Sequence, residues 1–298
     1  MASSTTKNDQ FKKYILNWRP SPARQRVGAP KIALSSTFDS TILPSSKDLS
    51  RYDSSIRDQG KLGACTAFAA IAVVEHIANR NNKVSDWSEL YLYYNTRVKV
   101  LGWPAEHDSG AFVSATMTAL SSYGDAGEID WPYDISKFSL EPPQNCYERG
   151  SKNQVIKTAF LDTSVDAFRA AIASGYPVDI GFVCYSNLYD FSESGEIPMP
   201  QKNSYVIGGH SVLLVGYNDR SRLFKLKNSW GTSFGEGGYG YLPYDYVSGY
   251  TIGDNPERLV SEPWTVLSIE FDNDKVILDA NPPDKLQSTA LALTTVVA

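Results

Sequence analysis

The chain has 298 residues, with 28 Lys and Arg against 33 Asp and Glu, a net charge of −5. That mild acidity argues against a nucleic-acid-binding protein, because no basic excess exists to neutralise phosphates. No apolar run approaches the roughly 18 residues of a membrane span, and a chain this long buries roughly 75 % of its unfolded surface without needing disulfides.

Residues 1–58 read as an arm. The first ten are polar and lack the apolar core of a signal peptide. The expected compartment is therefore cytoplasmic, or reached by export without such a leader. Trp18-Arg19-Pro20-Ser21-Pro22 is expected to be extended, because proline restricts itself and its predecessor. Arg24, Arg26 and Lys31 make the next stretch locally basic, and residues 35–50 read as a Ser/Thr-rich linker.

Order is expected from Asp58-Gln-Gly-Lys-Leu-Gly-Ala-Cys65 onward. The periodicity predicts a helix over about 65–80, with Ala67, Phe68, Ile71, Val74 and Ala78 at helical spacing. Further helices are predicted over 88–100, 111–122 and 165–174. Composition changes after Pro142-Pro143. Strands are then predicted at Val178–Cys184, Ser211–Tyr217, Leu223–Asn228 and Val266–Phe271. Helices first and strands second imply an α+β protein of two lobes. The tail after Asp272 reads as poorly packed.

Three cysteines cannot build a disulfide framework, and neither a CxxC pair nor a zinc-type Cys/His cluster is present. Cys65 follows two glycines and opens a helix. There the helix dipole favours a thiolate, and the first-turn N–H can donate to an oxyanion. Gln59, on the same turn, offers a second neutral donor. The plain alternative is a small apolar residue starting a helix.

A thiol nucleophile needs a base. His76 is eleven residues further along the same helix, roughly 16 Å away, and reads as a helix-surface residue. His107 lies between Glu106 and Asp108 and reads as solvated. His210 follows Gly208-Gly209 at the start of an apolar strand. A hairpin centred on Asp219 would set His210 opposite Asn228 on one face. That asparagine could fix the imidazole tautomer, with Trp230 shielding the bond. The alternative is an ordinary cross-strand polar pair.

These segments, Asp58–Phe68, Gly209-His210-Ser-Val-Leu-Leu-Val-Gly-Tyr217 and Lys227-Asn228-Ser-Trp230-Gly231 with the glycine-rich run to Tyr239, resemble the papain-like cysteine proteases. The Leu43-Pro44-Ser-Ser and Arg57-Asp-Gln-Gly forms resemble that family's bacterial branch. The resemblance implies a helical left lobe and a β-barrel-like right lobe, with the active site in the cleft between them. It implies Cys65 as nucleophile, His210 as base, Asn228 as orienter and Gln59 as oxyanion donor, with no metal or organic cofactor. Ser109, Gly110, Ala111 and Phe112 would line the substrate cleft, with Gly181, Ser211 and Trp230 completing it. Thr66 stands where papain has tryptophan. Leu62 stands where many relatives have a bridged cysteine, which leaves Cys146 and Cys184 either paired or free.

The resulting division is an arm or short pro-segment over 1–42, a catalytic domain over 43–271 (helical lobe about 58–145, β-rich lobe about 150–271) and a tail over 272–298. Three fates are open for the arm: a cleft-blocking segment that is removed, a permanent strap, or a disordered tail. The expected partners are peptide or protein substrates and the arm itself, in a monomer, with no nucleic acid or membrane. Two rival functions are a transglutaminase-like acyltransferase and a non-catalytic peptide binder.

Overall fold

The computed structural model describes residues 8–22, 43–252, 255–271 and 276–279. The basic stretch at Arg24, Arg26 and Lys31, and most of the tail, lie outside the described residues.

The helices are α1 (Cys65–Arg80), α2 (Glu89–Tyr94), α3 (Val113–Ser122), α4 (Gln144–Gly150), α5 (Val165–Ala173) and α6 (Tyr244–Ser248). The predicted second helix is in fact two pieces: after α2 the chain widens into a π-turn over Asn95–Val100. Ser88 caps α2 by accepting the Tyr91 N–H, and Ser164 caps α5 by accepting that of Ala167.

The strands are β1 (Ser46–Asp48), β2 (Gln154–Phe160), β3 (Val178–Tyr185), β4 (Val206–Asn218), β5 (Leu223–Lys227), β6 (Tyr239–Pro243), β7 (Tyr250–Ile252), β8 (Asn255–Glu257), β9 (Val260–Phe271) and β10 (Val276–Asp279). Eight of them form one antiparallel sheet in the order β10-β9-β3-β4-β5-β6, with β1 on β4 and β2 on β9. β7 and β8 pair separately. The α+β class and the papain-like architecture stand, but the sheet is not closed: among the described residues β6 and β10 end its path, so the barrel-like expectation is corrected to an open sheet. Part of the supposed loose tail is strand, since Val276–Asp279 pairs with Ser268–Phe271.

Helix α1 is the central pillar. Every residue from Cys65 to Ala78 is buried, because α2 and α3 pack on one side and β4 on the other. This overturns the reading of His76 as a surface residue. It is fully buried, with Nδ1 2.7 Å from Asp53 Oδ1. Asp53 in turn accepts the Tyr239 hydroxyl at 3.0 Å, which ties the helix to β6. Nearby, Arg57 meets Glu75, Glu89 and Asp86 at the end of the same helical layer. His107 is exposed, as its charged neighbours suggested. All three cysteines are free.

The hairpin register differs from the expectation. Leu214 faces Leu226 and Asn218 faces Leu223, with a bulge between Leu214 and Gly216. The turn is Asp219–Arg222, with Arg222 at φ 57°. A longer turn and one extra residue on β4 carry His210 past the paired region, so it has no β5 residue directly opposite.

Of the three fates left open for the arm, the disordered one does not hold for residues 8–22. Phe11, Tyr14 and Trp18 are each no more than 4 % exposed and belong to the main hydrophobic core.

Candidate active site

The first residue of α1 places Cys65 at the helix N-terminus, where its own N–H has no intrahelical acceptor. The backbone of Ser211, Thr66 and Trp18 lies close enough to its sulfur to favour the thiolate, against the larger effect of burial. Ser211 lies next to His210 on β4, so the start of α1 lies beside the part of the sheet that carries His210.

His210 Nε2 lies 2.8 Å from Asn228 Oδ1. That oxygen also accepts the Ser229 N–H at 2.8 Å, which identifies it as the acceptor and the His210 Nε2 as the donor. The neutral ring therefore keeps a bare lone pair on Nδ1, which is buried and has no hydrogen-bond partner. Trp230 tilts over the imidazole, ring centroids 4.8 Å apart, and excludes water from the Asn228 bond. The predicted His–Asn pair is thus present, although the predicted register is not what makes it.

Gln59 is fully buried. Its Oε1 accepts the Ser229 hydroxyl at 2.6 Å, and its Nε2 donates to the Leu62 carbonyl at 2.9 Å. An amide nitrogen has two hydrogens, so one remains for another acceptor. Gln59 N also donates to Ser229 O. The Gln59 and Asn228 segments are therefore joined, and the four residues singled out in the sequence share one neighbourhood.

Over this neighbourhood lies the N-terminal segment. Trp18 N donates to Gly209 O at 3.0 Å, and Gly209 N donates to Leu16 O at 3.2 Å. Arg19 N donates to Ala111 O at 3.3 Å, and the Asn17 side chain donates to Asp108 O at 3.0 Å. At the other end Tyr14 stacks on Trp230, centroids 5.2 Å apart, and its hydroxyl lies 2.8 Å from the Trp230 carbonyl oxygen. Asn8 donates to the carbonyls of Tyr189 and Phe191.

Glycines make the close approach possible. A Cβ on Gly110 would stand 2.0 Å from Asn17 O, and one on Gly181 would stand 1.8 Å from the Trp18 ring. Of the residues expected to line the cleft, Gly110, Ala111, Gly181 and Trp230 touch the arm. Ser211 instead turns its hydroxyl to Asp179 Oδ1 at 2.8 Å. Phe112 packs edge-on against Trp103, and Ser109 stands one residue back, with its N–H donated to His107 O.

The sequence reading missed Phe11, Tyr14 and Asp108. Asp108 accepts from Gly63 N, the Tyr93 hydroxyl lies 2.5 Å from it, and it thereby fixes the glycine turn before Cys65. The 11/14/18 aromatic spacing was the available signal for the arm.

The cover changes the electrostatics. Burial pushes the Cys65 thiol up to about 12. Burial also pushes His210 down to about 4, against the Asn228 bond, which acts in the opposite direction. Both groups are therefore neutral near pH 7 while the arm is seated, despite the helix dipole. Water admitted beside the ring relieves part of that burial, so an uncovered imidazole binds a proton more readily than the covered one. As pH falls below the ordinary 6.5, acid therefore favours the uncovered state. Hydrogen exchange of the Trp18 and Arg19 amides should show it: their protection drops at pH 5 relative to pH 7.5, after correction for intrinsic rates. Equal protection at both pH values would rule out this coupling.

The sequence profile of the papain family cysteine proteases matches residues 43–255. The chain is 34 % identical to the uncharacterized peptidase C1-like protein L477 of Acanthamoeba polyphaga mimivirus, over 76 % of this chain and 73 % of that protein. It is 29 % identical to cysteine proteinase 1 of Entamoeba histolytica, over 62 % of this chain but only 58 % of that protein. Its structure is similar to that of xylellain, a cysteine protease from Xylella fastidiosa, with a TM-score of 0.73 and 29 % identity, covering 85 % of this chain and 96 % of that one. The motifs, the architecture and these likenesses agree, and the chain belongs to the papain family of cysteine proteases.

Proposed function

We propose that this papain-family peptidase is an endopeptidase that works through Cys65 and His210, and that residues 8–22 cover its cleft until they are displaced. The observation that carries the reading is the His210 tautomer. Asn228 holds the Nε2 hydrogen, which leaves Nδ1 as a base at the cleft side of the ring. Once water replaces the arm, the thiol gives its proton to Nδ1 and the thiolate attacks the scissile carbonyl. The Cys65 N–H and the spare Gln59 N–H stabilise the oxyanion. The imidazolium then protonates the leaving amine. Finally, it serves as base for the water that hydrolyses the thioester.

The direction of the arm supports its role as a cover. The leaving amine departs on the side of His210 and Trp230, so the acyl part of a substrate lies toward Ala111. The arm runs the other way, from Tyr14 at Trp230 to Arg19 at Ala111. A chain laid in reverse presents its peptide groups out of register with the attacking sulfur, and so it occupies the cleft without being an ordinary substrate.

Gln59→Ala should lower kcat by roughly 10²-fold with a smaller change in KM, because its amide acts on charge that develops in the transition state. Steady-state hydrolysis of a fluorogenic peptide measures this, and an unchanged kcat would remove Gln59 from the oxyanion site. Mass spectrometry after incubation at mildly acidic pH decides the arm's fate. Loss of the N-terminal segment as activity appears marks a removable pro-segment. An intact Met1 in fully active protein marks a displaceable strap.

A further inference from the structure

The peptide unit between Leu62 and Gly63 stands just before the nucleophile and is held at both ends. At one end the Leu62 carbonyl accepts an Nε2 hydrogen of Gln59 at 2.9 Å. At the other the Gly63 N–H is shared by both Asp108 carboxylate oxygens, 3.1 Å from Oδ1 and 2.9 Å from Oδ2. A Cβ at position 63 would crowd that contact, 3.0 Å from Asp108 Oδ1. All three cysteines are free, so no covalent bridge braces this turn.

Asp108 is itself fixed from behind. The fully buried Tyr93 sends its hydroxyl hydrogen to Oδ1 at 2.5 Å and accepts the Gly110 N–H at 3.0 Å. The Arg97 guanidinium lies over the Tyr93 ring, 4.4 Å from its centroid. It also donates to the carbonyls of Ala105 and His107, which pins the loop that carries Asp108. One carboxylate thus joins the turn before Cys65 to Gly110, the neighbour of the Ala111 carbonyl that seats the arm.

A hydrogen bond to a carboxylate is stronger than one to a neutral acceptor. Here its pull passes through the peptide. An N–H drawn toward a carboxylate leaves more negative charge on the carbonyl oxygen of the same unit. The Leu62 oxygen therefore holds one Gln59 hydrogen firmly, while the Ser229 hydroxyl holds Oε1 at 2.6 Å. With both fixed, the planar amide has one direction left for its second hydrogen. The same peptide sets the path of the chain into Cys65, whose N–H is the other oxyanion donor.

We propose that Asp108 is a positioning residue for the reaction: through the Leu62–Gly63 peptide, its carboxylate aims the spare Gln59 hydrogen and the Cys65 N–H at the oxyanion. The proposal rests on the peptidase reading above. Asp108 acts through other groups, since its oxygens are engaged by Gly63 and Tyr93.

The test compares full-chain Trp18→Ala protein with the same protein carrying Asp108→Asn, which keeps the shape of the side chain and removes its charge. Active sites are counted by titration with a thiol-directed epoxide. Per titrated site, kcat for a fluorogenic peptide is expected to fall about tenfold with KM within about twofold, because the lost interaction acts on charge that forms only in the transition state. Alkylation of Cys65 by iodoacetamide forms no oxyanion, and its rate should change by less than about twofold. A merely structural role would lower the number of titratable sites and leave kcat per site unchanged, which overturns the proposal. A parallel fall in alkylation would place the effect on the thiol and overturn it too. Combined with Gln59→Ala, Asp108→Asn should cost less than the product of the two single losses, because both act on one donor. Losses that multiply in full overturn the route through Gln59. Where Asp108→Asn does not fold, Tyr93→Phe decides, since it keeps the ring under Arg97 and removes only the hydroxyl. Its kcat per site should fall about threefold, and an unchanged value overturns the proposal. A Trp18→Ala parent without any turnover overturns the peptidase reading itself.

Discussion

Cys65→Ala abolishes peptide hydrolysis, by roughly 10⁶-fold in kcat, as expected when a covalent nucleophile is removed from a set that acts as a unit. The fold should survive. The side chain is small, it opens α1 rather than bracing its middle, and alanine fits the same space. The two measurements belong together: turnover of a fluorogenic peptide, and thermal unfolding followed by circular dichroism. Loss of turnover with a nearly unchanged midpoint is the expected result. Retained hydrolysis would transfer the chemistry to another residue, since neither other cysteine can replace it. Cys146 lies in a separate small cluster with Tyr91 and Ala126, and Cys184 is fully buried within β3.

Trp18→Ala acts in the opposite direction. The indole is 4 % exposed, packed against Gly181 and Gly209. Truncating a buried tryptophan costs about 3–5 kcal/mol, and here nearly all of that loss falls on the seated arm rather than on the domain beneath it. The full chain should therefore hydrolyse peptide roughly 10²-fold faster before any processing, while its unfolding midpoint moves little. The check is initial-rate hydrolysis at neutral pH, with intact mass confirming that the arm is still attached. An initial rate equal to that of the unaltered chain would mean that the segment does not block the cleft. Phe11 and Tyr14 would still anchor its first half on Trp230 in this variant, so activation by release of Trp18 alone locates the block at the nucleophile.

Much of the site was legible because its residues announce their neighbourhood locally. Gly60 and Gly63 before a helical period place Cys65, and an apolar strand after two glycines places His210. The boundaries of α1 were readable for the same reason. The failures were tertiary. The hairpin register depended on a bulge and on Arg222 adopting a left-handed conformation, neither of which alternation reveals. His76 looked polar enough for a surface, but its partner Asp53 lies 23 residues away in the stretch read as an arm. Pro263 interrupts the apolar pattern of β9, so its first half was not recognised as strand. β6 hid inside a glycine- and aromatic-rich run that reads as a turn. The arm was legible only in part: its three fates stayed open because proline and serine obscure packing, while Phe11 and Tyr14, which with Trp18 place three aromatics in eight residues, were not recognised as packing residues.

The seating of the arm on Gly209 and Ala111 has a consequence for dose. On the proposed reading the covering segment and the enzyme belong to one chain, joined through residues 23–42. Covalent connection makes their contact intramolecular, so its occupancy does not depend on the protein's own concentration. Inhibition of the intact chain is therefore indifferent to dilution. A single cut anywhere in the tether makes it bimolecular, and the same contacts then have to compete at the bulk concentration of the freed peptide. On that reading nicked enzyme is expected to be silent when concentrated and active when dilute.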